Sequence, residues 1–464
     1  MLVIQHVLCL TVFFLIGACS SYPDRSVSEI AASIPSHWVG INSGDQINND
    51  WLTTFYDPVL TKLVNEALNN NLDLKVAAAR VEEARERAII AGAERWPQLG
   101  VSSGYLTQTS GISNTNNTFL GSSYGAFNAL FSLSWEIDLW GRIKALKTAA
   151  QKDADAVNAD LYAAKLSLAA RIAQLYYELI EANLQTQVAE QSIKDRRKIV
   201  DLVRGRFSRG LTRGLDLRLA LTDLANAEAQ LALSRNQVQL LSRQLDVLLG
   251  RYPTGVSEIS IKSVANLPKL PKALSAGLPS QLLERRPDLI AAFLKLRAMD
   301  SRVESAKKAL LPRFSLTGVG GTSSTALADL IDPRAVAWNL ATGLVQPLFT
   351  GGRLSSEIRL NEAQKQEALN NYKSTALNAF REVEQKLAAE QWLRAQEKAL
   401  LEAVEQTEAS RKLAVSSYQQ GLIEILTLLD SYRSTLNAQS AHLALQRQLL
   451  TNRIELYLAL GGGI

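Results

Sequence analysis

The sequence predicts a membrane protein of mixed α+β class, in which a transmembrane β-barrel is continued by a long α-helical coiled-coil barrel. Three observations carry that expectation. Two helix-like runs of unusual length recur at a single offset; paired segments with strand periodicity and one apolar face precede each run; and the chain opens on a leader with the texture of an export signal.

The recurring runs are 141–250 and 352–461, both free of proline. Gly141 and Gly210 lie 69 positions apart, as do Gly352 and Gly421, and Gly250 and Gly461 each follow 40 positions later, so the copies superimpose at an offset of 211 without a gap. Ala, Leu, Gln, Glu, Lys and Arg dominate both, which favours helix, and a helix as long as 141–209 reaches on the order of 100 Å. Apolar positions from Leu168 to Phe207 alternate by three and four, and the return run repeats by sevens through Leu217, Leu224, Leu231, Val238 and Leu245. Leu422, Leu429, Leu436, Leu443, Leu450 and Tyr457 repeat likewise. This is coiled-coil spacing. Each copy reads as a long helix, a glycine turn and a shorter antiparallel helix.

Taken in order, residues 1–18 resemble an export signal with an apolar core from Val7 to Ile16. An uncleaved anchor is the alternative. Ile16-Gly17-Ala18-Cys19 resembles the bacterial lipobox, which implies acylation of Cys19, and Ser20 at the next position implies sorting to the outer membrane. Residues 19–50, polar and turn-rich, form the lipid-anchored arm. The first repeat spans 51–250: a helix from Pro58 to Glu94 ended by Pro97, a β-hairpin over 99–137, the long helix 141–209 and the return helix 211–249. A linker covers 251–272. The second repeat spans 273–461, with a helix from Leu282 to Leu310, a hairpin over 314–347, the long helix 352–420 and the return helix 422–460.

The hairpins decide the class. Phe127, Ala129, Phe131, Leu133, Trp135 and Ile137 alternate, and Val336, Trp338, Leu340 and Leu344 share one face. The first tip is expected between Ser110 and Ser122, the second between Thr325 and Arg334. Strands of about ten residues with one apolar face suit lipid better than a soluble cap. Soluble hairpins on a helical stalk are the alternative. Four strands cannot close a barrel, since bacterial barrels start at about eight, so the chain must associate. A dimer supplies eight strands, a trimer twelve. Four helices per chain, three chains and about 10 Å between axes leave a lumen of roughly 25–30 Å, which favours the trimer.

With these features on the page, the chain resembles the TolC-like outer-membrane factors, and within them the lipoprotein branch of OprM-type efflux channels. The resemblance rests on residues 135–142 (Trp-Glu-Ile-Asp-Leu-Trp-Gly-Arg), 283–289 (Leu-Glu-Arg-Arg-Pro-Asp-Leu), 346–353 (Gln-Pro-Leu-Phe-Thr-Gly-Gly-Arg) and 428–433 (Leu-Leu-Asp-Ser-Tyr-Arg), in this order on the duplicated frame. It implies a homotrimer with a 12-stranded barrel in the outer membrane and a helical tunnel through the periplasm. It also implies docking through a periplasmic adaptor protein onto an RND-type inner-membrane pump. Such a channel is a passive conduit, not an enzyme, and needs no cofactor beyond the lipid on Cys19.

The resemblance further assigns the two turns to the adaptor: Arg209, Gly210, Leu211 and Thr212 in the first, Gln420, Gly421, Leu422 and Ile423 in the second. Both glycines also suit the left-handed end of a helix. It matches Asp430 to an acidic ring that closes the tunnel, with Leu426 as an apolar constriction and Arg433 as a partner. Thr427 stands where a second acidic residue occurs in the family, and Asp216 is its supplement from the first copy. Converging carboxylates repel unless they bind cations or pair with Arg, a basis for a cation-sensitive gate.

Other classes find little support. Net charge is +5 over 464 residues, too small for a nucleic-acid footprint, and the two cysteines, Cys9 and Cys19, cannot build a zinc site. His6, His37 and His442 are scattered, and Gly318-Val319-Gly320-Gly321 lies in a strand with no helix after it, unlike a phosphate loop. A trimeric coiled-coil structural or adhesive surface lipoprotein would share the heptads and the anchor, but has no use for two matched lipid-facing hairpins.

Overall fold

Asp57 and Pro58 show how locally the first helix is specified. The Asp57 carboxylate accepts from the Val59 and Leu60 amides at 3.0 and 3.1 Å, and proline fills the first helical position, where no amide is needed. Helix α1 (Pro58–Asn70) buries Leu60, Leu63, Val64 and Ala67, a stripe at helical spacing. The computed structural model from which this is read describes residues 35, 37–39, 51–113, 119–255, 266–270, 277 and 279–463. Cys19, the leader and nearly all of the 19–50 arm lie outside the described residues.

The described residues form two compact units. One comprises Arg80–Asn158 and Ala291–Lys373; the other comprises Ala31–Ala79, Ala159–Ile290 and Ser374–Ile464.

The helix expected from Pro58 to Glu94 is two helices, α1 and α2 (Leu72–Ala93), broken at Asn71. Its counterpart is broken at Arg286 into α5 (Leu282–Arg285) and α6 (Pro287–Lys308). Each break has a chemical reason. Arg286 precedes proline, which excludes helical backbone there, and adopts ψ 121°. The Asn71 side chain accepts from the Leu74 amide at 3.1 Å and donates to the Leu248 carbonyl at 2.9 Å. Arg286 donates to the Ala459 carbonyl at 3.1 Å. Each break therefore receives the C-terminal end of a return helix.

Between α2 and α6 come β1 (Gln98–Ser113), β2 (Phe119–Ile137), α3 (Arg142–Ser208) and α4 (Gly214–Leu248). After α6 come β3 (Arg313–Ser324), β4 (Val336–Val345), α7 (Arg353–Gln419) and α8 (Ile425–Ala459). Helices α3 and α7 each run 67 residues, α4 and α8 each 35. Both return helices start three residues later than expected, because the chain needs Arg213 and Glu424 in extended conformation ahead of the first helical turn.

The two hairpins are joined. All four strands form one antiparallel sheet in the order β1-β2-β3-β4, with β2 pairing β3 in the register Phe131↔Gly320. The first hairpin is longer than expected, since residues 110–113 pair with 119–122; backbone ladders do not require apolar side chains. The second tip is built from two short 3-10 turns around Asp332, whose carboxylate accepts from the Arg334 amide at 2.9 Å and from its guanidinium.

The main core lies where the 3-10 turn at Leu52–Phe55 meets α1, α3, α4 and α8. Trp51 stacks on Tyr457 at 5.8 Å, and Phe55 contacts Tyr177 and Tyr457. Burial and the nearby Asp57 carboxylate push the Tyr176 and Tyr177 phenols up, so both stay neutral. No helix among the described residues is long and apolar enough to cross a bilayer.

Helices α7 and α8 are locked by Arg453, fully buried and paired with Glu390. Burial works against the Glu390 charge, but Arg453 and then Arg394 outweigh it and hold the carboxyl below its ordinary range. Its stabilisation is therefore present above the unfolded pKa and lost as pH falls through the lower folded value. Arg453→Ala leaves the half-buried Glu390 carboxylate with Arg394 alone and should cost about 3 kcal/mol, read as a lower thermal transition at neutral pH. An unchanged transition would mean that the pair contributes nothing.

Candidate functional site

Two regions carry chemistry relevant to a channel, the sheet in the first unit and the helix tips in the second. On the sheet, register places Leu99, Val101 and Tyr105 beside Leu133, Phe131 and Phe127. Across β3 the same face continues through Leu316 and Phe314, and on β4 through Trp338, Leu340 and Leu344. Leu99, Val101, Phe131, Trp338, Leu340 and Leu344 are all exposed. The opposite face carries Ser102, Asn128, Ser132, Ser134, Ser315, Thr317 and Asn339, interspersed with Leu106, Leu130, Val319 and Val345. A sheet with one strongly apolar exposed face and one richer in small, polar residues suits a wall between lipid and water.

Its roots are held by tryptophans and a cap. The Trp135 indole donates to the Arg95 carbonyl at 2.9 Å and the Trp140 indole to the Pro312 carbonyl at 2.7 Å. Asp138 accepts from the Ile143 and Lys144 amides at 3.1 and 2.7 Å, starting α3, while Arg142 pairs with Glu136 at 2.9 Å. Gln346 does the corresponding work after β4, donating to the Leu310 carbonyl at 2.9 Å.

At the tips, Gly210 and Gly421 have φ +72° and +80°, a conformation costly for residues with a Cβ. The Leu211 amide bonds back to the Arg206 carbonyl at 3.0 Å and the Leu422 amide to the Ser417 carbonyl at 2.9 Å, the six-to-one closure of a Schellman end. Leu211 and Leu422 are left exposed, and Ile423 is half-buried. Arg209 folds onto the Gly205 carbonyl at 2.9 Å, and Gln420 reaches Ser416. Arg206, which the sequence reading passed over, donates to the last carbonyls of α7, Tyr418 and Gln419, at 3.3 and 3.2 Å and lies over the buried Tyr418 ring. One hairpin thereby caps the other.

The residues expected to form a gate separate. Leu426, Thr427 and Asp430 are exposed together on α8, while Leu428 and Leu429 are buried. Asp430 has no hydrogen-bond or ion-pair partner among the described residues, and Arg433 does not pair with it. Arg433 turns to Asp223 on α4 at 3.2 Å, because that buried carboxylate already holds Arg196 of α3 at 2.7 Å and has a second oxygen free to accept. Asp216 is likewise occupied: its carboxylate takes the Thr212 hydroxyl and the Arg213 amide, closing the first tip. Arg411 extends the cluster, pairing with Asp195 at 3.1 Å and lying over the Tyr432 ring. Asp223 was missed in sequence although it stands one residue before the heptad position Leu224. Nothing local marks it except a charge beside a seam.

The sequence matches the family described as outer membrane efflux protein over residues 63–251 and 278–462. It is 34% identical over 417 residues to a pyoverdine export outer membrane protein, OpmQ, of Pseudomonas putida, covering 89% of this chain and 88% of that one. It is 33% identical to the outer membrane protein OprJ of Pseudomonas aeruginosa, covering 97% and 94%. The crystal structure of the Campylobacter jejuni CmeC outer membrane channel is similar with a TM-score of 0.84 at 25% identity, covering 96% of this chain and 95% of that one. The fold of this chain is thus similar to that of a solved outer membrane channel over nearly the whole length of both. The chain belongs to the outer membrane efflux protein family.

Proposed function

We propose that three copies of this chain close a 12-stranded barrel in the outer membrane, and that their helices enclose the periplasmic tunnel of a tripartite export system. The observation that carries this reading is the sheet with one exposed apolar face and two unpaired edges, β1 and β4. In hydrocarbon each unpaired backbone group costs several kcal/mol, so these edges need partners, and copies of the same chain supply them edge to edge. Every strand is long enough: a spanning strand needs about 9–11 residues, β4 and β3 have 10 and 12, and β1 and β2, with 16 and 19, extend beyond that span. Acyl groups on Cys19 would anchor each copy beside the barrel.

The equal helix lengths and the repeated glycine ends support a tandem duplication, so that two hairpin tips per chain make six in the ring. Leu211 and Leu422, exposed at the turns, offer apolar contacts to a periplasmic adaptor, with Arg209, Thr212, Gln420 and Ile423 shaping the turns beneath them. The adaptor in turn joins an inner-membrane pump, which supplies energy and direction. The conduit itself catalyses nothing.

The gate in this reading has two layers. Asp430, unpaired on an exposed helix face beside Leu426 and Thr427, is free to converge with its two copies. The Arg196–Asp223–Arg433 cluster acts as the latch that holds the second tip against the first; Asp216 serves the tip turn instead of the ring.

The test is conductance of the purified full chain in planar bilayers. Discrete channels are expected, and a bilayer that stays silent at all protein concentrations would refute the conduit. Arg433→Ala weakens a half-exposed pair by about 1 kcal/mol, a shift of roughly fivefold toward the open tip. It should therefore lengthen open dwell times, and unchanged gating would remove Arg433 from the latch. Face polarity gives a second check: Leu340→Arg places a charge in lipid at a cost of about 2–4 kcal/mol and should deplete assembled protein from the outer membrane, whereas neighbouring Asn339→Arg should assemble normally. Equal tolerance of both would contradict the face assignment.

A further inference from the structure

Within one chain, helix α3 is covered on two flanks, by its own return helix α4 and by the other return helix α8. The α3–α8 contact is specific. Arg447 pairs with Glu181 at 2.6 Å and approaches Glu178 at 3.8 Å, and Gln185 donates to the Ser440 carbonyl at 3.0 Å. Leu443 and Leu450 of α8 pack beside these groups on the main core.

Helix α7 repeats the length of α3, and the positive-φ glycines 141, 210 and 250 recur at 352, 421 and 461, so each position from 141 to 250 has a counterpart 211 residues on. Carried through that offset, the flank of α3 that meets α8 becomes a flank of α7. Glu181 maps to Trp392 and Gln185 to Gln396; on the return helix, Arg447 maps to Asn236 and Ser440 to Ala229. The mapped residues are uncovered in the single chain. Trp392 is 71% exposed, and Gln396, Ala229 and Asn236 are all exposed. An exposed tryptophan on a helix flank leaves a large apolar surface in water.

We infer that α4 of a second copy covers this flank of α7, with Trp392 seated against Asn236 and Ala229 of that copy and Gln396 donating to its Ala229 carbonyl. The volumes complement one another. Inside the chain, α8 brings large residues, Leu443 and Arg447, to a carboxylate on α3. Between copies, α7 brings the indole, and α4 offers Ala232 and Asn236 at the equivalent places. The conserved element is glutamine to backbone, because Gln185 and Gln396 both stand at the mapped position and their acceptor needs no particular side chain. The charged pair is replaced by a ring, so this seam does not weaken with salt.

This inference rests on the proposed ring of copies and adds the surface that closes it in the periplasm. The test uses full-length, membrane-extracted protein carrying Asn236→Cys and Trp392→Cys, with Ala229→Cys and Gln396→Cys as a second pair, treated with a short bismaleimide. Covalent species of two and three chains on denaturing gels are expected from each pair and from none of the four single substitutions. Trp392→Ala should also lower the temperature at which the assembly dissociates, with Trp392→Phe intermediate. If light scattering finds three chains per particle but neither pair cross-links, this surface is wrong and the ring reading stands. A particle of one chain overturns both.

Discussion

An unpaired peptide group in hydrocarbon has no water to turn to, and this constraint governs the protein. Strands β1 and β4 each present an edge that no other strand pairs among the described residues, on a sheet with an exposed apolar face. A soluble protein would protect such edges with charge, a bulge or a covering helix. Here Val336, Trp338, Leu340 and Leu344 run along β4 without an interrupting charge. The strand is shaped to be paired.

The rest of the chain fixes how that pairing is presented. Between sheet and helix the chain must change from period two to period 3.6 within a few residues, and the junction after β2 is dense with specific contacts: Trp135 and Trp140 tied to carbonyls, Asp138 capping α3, Arg142 on Glu136. The junction after β4 uses Gln346 and the paired glycines 351 and 352, both at positive φ. Residues 283–289 serve another purpose, since Arg286 binds Asp288 and Glu382 while holding the end of α8. Residues 428–433 combine two buried leucines with Arg433, which binds Asp223 on α4. The four stretches by which the chain resembles its family are thus the places where secondary structure changes or helices are fastened together.

Much of this was legible in the sequence because it depends on period and on backbone chemistry. Heptads marked the long helices, alternation marked β2 and β4, and glycines at one offset marked both ends of the long helices and the last turns of the return helices. What escaped has a common cause. The break at Arg286 was signalled by Pro287, yet periodicity on both sides masked it; the break at Asn71 has no such signal, because its reason is a hydrogen bond to Leu248, 177 residues away. The pairing of β2 with β3 joins segments separated by α3 and α4 and leaves no local trace. The expected Asp430–Arg433 pair had suitable spacing on one helix, but a buried carboxylate with an open acceptor outcompeted an exposed one. Helix spacing states which groups are neighbours, not which neighbour lies in the lower dielectric.

The claim beneath all of this is that the cylinder is assembled from three incomplete walls. Native mass spectrometry of the full-length protein released from detergent micelles tests it most directly. The account predicts one dominant species of three chains, each carrying acyl mass at its N-terminus. A dominant single chain, or a two-chain particle closing on eight strands, would contradict it.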